Sequence, residues 1–88
     1  MEIKAGQVYN VKIGTGITYD SFYLLSLVDG PTCSDKRKKF LKLCLIDITN
    51  GNRLKNPIAV KDYQNITEKE FAQIIGKNNT AILTEKRL

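Results

Sequence analysis

The chain contains no histidine and no tryptophan, and only two cysteines, two prolines and one methionine among its 88 residues. Without histidine it lacks the commonest general base at neutral pH and the commonest metal ligand. Cys33 and Cys44 stand eleven positions apart, which matches no zinc spacing, and in a reducing compartment they are expected as free thiols. No apolar run approaches the roughly 18 residues that a membrane-spanning helix needs. Residues 1–6, Met-Glu-Ile-Lys-Ala-Gly, lack the apolar centre of a secretory signal. A cytoplasmic protein without membrane contact is the expectation.

Catalytic patterns are missing as well. There is no Walker lysine motif, and Gly14-Thr15-Gly16 lacks the third glycine and the following helix of a dinucleotide loop. Asp20, Asp29, Asp35 and Asp47 have no spacing that gathers a cation. Cys44 lies in an apolar run and reads as core, while Cys33, beside a basic stretch, has no activating partner in sequence. No catalytic residue, metal ligand or cofactor is therefore expected, and binding is favoured over enzymatic activity.

What is present centres on residues 36–48, where the basic run Lys36-Arg37-Lys38-Lys39 passes into the longest apolar segment, Phe40-Leu41-Lys42-Leu43-Cys44-Leu45-Ile46-Asp47-Ile48. The net charge is +5, but it is uneven: residues 36–61 hold Lys36, Arg37, Lys38, Lys39, Lys42, Arg53, Lys55 and Lys61 against Asp47 alone, so the remainder is slightly acidic. Enrichment in Lys, Ile and Asn with few Arg and Ala matches AT-rich coding sequences, such as those of phages and mobile elements.

Eighty-eight residues form one domain spanning 1–88, because halves would be too small to bury a core. Residues 7–13 alternate, with Tyr9, Val11 and Ile13 opposite Val8, Asn10 and Lys12, which predicts a half-buried strand. A Gly-rich loop follows over 14–20, and a second strand over 21–28 ends at Asp29-Gly30-Pro31, a strong turn signal. The third strand starts from Lys39 and is apolar on both faces apart from Lys42 and Asp47, so it should be central. Asn50-Gly51 predicts a hairpin. Its returning arm runs over 53–60 and should be interrupted near Pro57, which cannot donate to a ladder. Thr67-Glu68-Lys69-Glu70 is a capping box announcing a helix over about 67–76, with Ile66 as hydrophobic staple and Gly76 as stop. Residues 80–84 form the closing strand.

This order resembles a mainly β, five-stranded SH3-like barrel, or alternatively an OB-like one, with one short helix before the last strand. Such folds host unrelated functions. Two kinds of partner suit the charge. In the first, Lys36, Arg37, Lys38, Lys39 and Lys42, joined by Arg53, Lys55 and Lys61, contact nucleic-acid phosphates, with stacking offered by Tyr19, Phe22, Tyr23 and Tyr63. In the second, the same surface docks an acidic protein partner as an accessory, inhibitor or adaptor, or the chain self-associates as a homo-oligomer through an edge opened by Pro57. A charge run also serves simply to solvate a loop.

Overall fold

Alternation and capping resolve into one antiparallel sheet and one helix in a computed structural model, which describes residues 2–14, 20–28 and 41–84. The elements are β1 (Val8–Lys12), β2 (Ser21–Val28), β3 (Leu41–Asp47), β4 (Ile58–Val60), α1 (Glu68–Ile75) and β5 (Thr80–Thr84). The sheet order is β4-β3-β2-β1-β5, with every neighbouring pair antiparallel. β4 and β5 are its two edges, and no ladder between described residues joins them. The expected strand and helix positions are met; Asp29, Gly30, Pro31, Phe40 and the expected third-strand start at Lys39 lie outside the described residues.

Period-2 alternation divides the sheet into two faces. The inner face carries Tyr9 and Val11 from β1, Tyr23 and Leu25 from β2, Leu43 and Leu45 from β3 and Val60 from β4, all buried in one cluster with Ile3, Ile66, Phe71 and Ile74. α1 packs over β3 and β4 on this face, and the Phe71 ring meets Tyr9 edge-on at 4.8 Å and 64°. Burying this cluster supplies most of the free energy that offsets chain entropy.

The helix starts where its sequence dictates. The Thr67 hydroxyl accepts from the Glu70 N–H at 3.1 Å, and the Glu70 carboxylate accepts from the Thr67 N–H at 3.0 Å. Buried Ile66 just before the cap and Phe71 belong to the same cluster, as a hydrophobic staple requires. At the other end Asn79 donates from Nδ2 to the Ile75 carbonyl at 2.9 Å, while its Oδ1 accepts from the Gly14 N–H at 2.9 Å. One side chain thus satisfies a terminal helix carbonyl and ties α1 to the end of β1.

Two irregularities shape the sheet. Gly6, at φ 93°, donates to the Leu25 carbonyl, and the Leu25 N–H donates to Gln7. This is a G1 bulge, in which a glycine takes the positive φ and two residues oppose one. The Asn50-Gly51 hairpin closes through Asp47 N–H to the Asn52 carbonyl at 2.8 Å, so its loop is four residues rather than two. The Asp47 and Asn50 side chains brace it by accepting from the Thr49 and Asn52 N–H groups. Its returning arm bridges Ile46 at Arg53, leaves the ladder, and resumes as β4 directly after Pro57.

Candidate functional site

The other side of the sheet is the candidate site. Strand register places Val8, Asn10 and Lys12 beside Phe22, Leu24, Ser26 and Val28, then Lys42, Cys44 and Ile46, then Ala59, with Ile82 next to Asn10 on β5. Val8 and Cys44 are buried on this face, its other β1, β2 and β3 residues are half-buried, and Ala59 and Ile82 are exposed. They form an apolar strip with cations at its margins.

Lys42 stands opposite Val28 and Ala59, half-buried near the start of β3. Arg53 is exposed and shares the face through its bridge to Ile46. Cys44 lies between Lys42 and Ile46 on β3, opposite Ser26, and is 1% exposed. Burial pushes its thiol pKa up, and the Arg53 guanidinium acts in the opposite direction. Cys44 therefore stays protonated and is a free but sheltered thiol, unsuited to nucleophilic work.

Across the strip Asn10 and Phe22 are cross-strand neighbours. Asn10 donates from Nδ2 to Asp20 Oδ1 at 3.1 Å, while its own Oδ1 is buried and accepts no hydrogen bond from the described residues. Leaving such an acceptor unpaired costs about 1–3 kcal/mol.

The structure separates the remaining predicted cations from this face. The Lys55 stem lies against Gly76, where a Cβ would come within 2.7 Å of its Cδ. That is the electronegative, C-terminal end of α1, which otherwise has no basic residue in its last turn. Lys61 sits at the opposite end: its N–H donates to Glu70 Oε2 at 3.3 Å. The Glu70 carboxyl is held below the usual range first by the Thr67 N–H, with burial opposing and the Lys61 charge adding a smaller contribution. Lys55 thus complements the negative end of the helix, whereas Lys61 is held at the positive end through Glu70.

The aromatic candidates divide too. Tyr23 is 7% exposed in the inner cluster, so it offers no stacking surface, whereas Phe22 is half-buried on the outer face. Tyr63 is exposed but belongs to the segment beside the N-terminus, where its carbonyl accepts from the Ala5 N–H at 3.0 Å. It borders an open depression of about 460 Å³ lined by Glu2, Lys4, Ala5, Gln64 and Asn65. Lys36, Arg37, Lys38, Lys39 and Tyr19 lie outside the described residues.

Lys12, half-buried opposite Thr80, is a face cation that charge counting along the chain did not single out. The alternation of β1 carries its signal, since it falls on the side opposite Tyr9. Among the described residues no three of His, Cys, Asp and Glu converge as a metal site, and no helix is long and apolar enough to cross a membrane. No protein-family model, curated protein or solved structure matches the chain.

Proposed function

We propose that this is a small, cytoplasmic, non-enzymatic module that binds the phosphate backbone of single-stranded nucleic acid across its outer sheet face. The observation that carries the proposal is the placement of Lys42 and Arg53 on one face with Phe22, Leu24 and Ile46. In sequence the run Lys36, Arg37, Lys38 and Lys39 ends three positions before Lys42. Phosphates would follow these cations while bases lie on the apolar strip, a division of labour common to sheet-based single-strand binders. An SH3-like, partly open barrel is the proposed fold. Support comes from the uninterrupted β1-β2-β3-β4 meander with β5 returning to β1, which differs from the Greek-key path of an OB fold.

The test is fluorescence anisotropy with random-sequence single-stranded DNA and RNA over a salt series. Six cations engaged at once give a slope of log K against log salt of about −4, at roughly −0.7 per phosphate on single strands. Changing Lys42 and Arg53 to Ser should reduce that slope by about 1.4. Changing Lys55 and Lys61 to Ser should leave it unaltered. Absence of binding at low salt, or equal losses from both pairs, would overturn the proposal; capture of an acidic protein by this face instead would replace it.

A further inference from the structure

The geometry points to a second interaction surface, which adjoins the outer face at Ile82: the outer edge of β5, which we propose pairs antiparallel with β5 of a second copy of the chain about a two-fold axis at Ile82. Hydrogen-bond phase fixes which groups face outward. The Leu25 N–H bonds to Gln7, so the pairs that exchange hydrogen bonds across β1 and β2 fall at Tyr9 and Val11, and Asn10 must turn its N–H and C=O toward β5. Asn10 is paired there with Ile82. Ile82 thus directs its backbone groups inward, and its neighbours Ala81 and Leu83 direct theirs to the edge that no described strand pairs.

Two-fold pairing about Ile82 sets Ala81 opposite Leu83 of the second copy, and Leu83 opposite Ala81. Each of these is a hydrogen-bonded pair of one small and one large side chain on the same face. Ile82 meets its own copy in a non-hydrogen-bonded pair, where Cα atoms approach to about 4.5 Å and side chains pack closely. Ile82 is 62% exposed and Leu83 37% exposed in the single chain, so both have surface to bury. β5, Thr-Ala-Ile-Leu-Thr, also lacks the charge, proline or bulge by which natural edges usually resist pairing. A second copy supplies complementarity at each of these positions, and such an isologous contact closes at two chains.

Sedimentation velocity on the full chain tests this. A single strand pair buries less than the roughly 1,200 Å² of stable complexes, so weak, concentration-dependent association is expected. Wild-type mass should rise from one chain toward two between about 10 μM and 1 mM. Ala81→Pro removes only an outward N–H, leaving the β1 ladder intact, and Ile82→Lys sets like charges across the axis. Each should weaken association at least tenfold. Should Ala81→Pro fail to fold, Ile82→Lys still decides. Ile82→Cys, with Cys33 and Cys44 changed to Ser, should form an interchain disulfide under mild oxidation faster than Thr49→Cys does on the hairpin. A monomer throughout the range, growth beyond two chains, association unchanged in the variants, or binding only of unrelated extended peptides would each overturn the proposal.

Discussion

Changing Tyr9 to Phe should reverse its effect on stability between neutral and alkaline pH. The Tyr9 ring is fully buried, packs edge-on against Phe71, and donates from its hydroxyl to Gln7 Oε1 at 2.6 Å. Phenylalanine keeps the ring and its contacts. Gln7 Oε1 still accepts from the Lys4 N–H at 3.1 Å, so the loss near pH 7 is that of one hydrogen bond, about 1 kcal/mol. At high pH a second effect takes over. Burial pushes the Tyr9 pKa up to about 12 from 10.0, so above pH 10 the unfolded chain releases the phenolic proton while the folded chain retains it. Stability from this group is complete below the unfolded pKa and is lost as pH rises through the folded one, on the order of 2 kcal/mol in all. Tyr9→Phe has no such loss. Urea unfolding followed by circular dichroism from pH 7 to 11.5 should show the wild type ahead at pH 7 and the two curves converging, then crossing. Tyr23, also raised by burial and then by the Asp47 charge, is common to both proteins and cancels. Parallel curves would refute the assignment of Tyr9 as a neutral, buried donor.

Three further substitutions probe separate parts of the fold. Thr67→Ala removes the capping hydroxyl and should cost about 1 kcal/mol in thermal or urea unfolding. Glu70→Gln should flatten the acid limb of the wild-type stability profile, because the lowered Glu70 pKa gives stability that is present above the unfolded carboxyl pKa and lost as pH falls through the folded one. Leu43→Ala, at a fully buried position in the interior strand β3, should cost about 2–5 kcal/mol by leaving a cavity. A loss below about 1 kcal/mol would show that Leu43 is not in the packed centre.

Much of the fold was legible in the sequence. β2 occupies residues 21–28 as its aromatic and apolar run predicted, and β5 occupies 80–84. The capping box located α1 because two reciprocal hydrogen bonds need only residues three apart. Pro57 ended the irregular arm because it lacks an N–H. The hairpin loop came out longer than the Asn-Gly pair suggests, since the Asp47 and Asn50 side chains supply bonds that favour a wider turn.

The candidate site was harder to read. Counting charge along the chain put Lys55 and Lys61 with Lys42, but the interruption before β4 carries Lys55 to one end of the helix, and the turn after β4 brings Lys61 to the other. Local sequence contains no signal for that separation, because it depends on where α1 packs. Alternation did contain the position of Lys12, and the strand register turned it into a neighbour of the outer face. Tyr23 and Phe22 are adjacent in sequence, and only the direction of the helix-covered side decides which of them is core.

The pairing of β5 with β1 sets the order in which the molecule can be completed. Val8 and Thr84 are partners across nearly the whole length of the chain, whereas the hairpin between β3 and its returning arm needs only a local turn. Closing the larger loop costs more entropy before any contact compensates it, and non-local ladders of this kind slow folding. Until residues 80–84 have left the ribosome, β1 has a neighbour on one side only, and its second edge stays available to any extended chain nearby. The β3 hairpin and its helix should therefore gain amide protection first, with β1 and β5 acquiring theirs together in a later, single step.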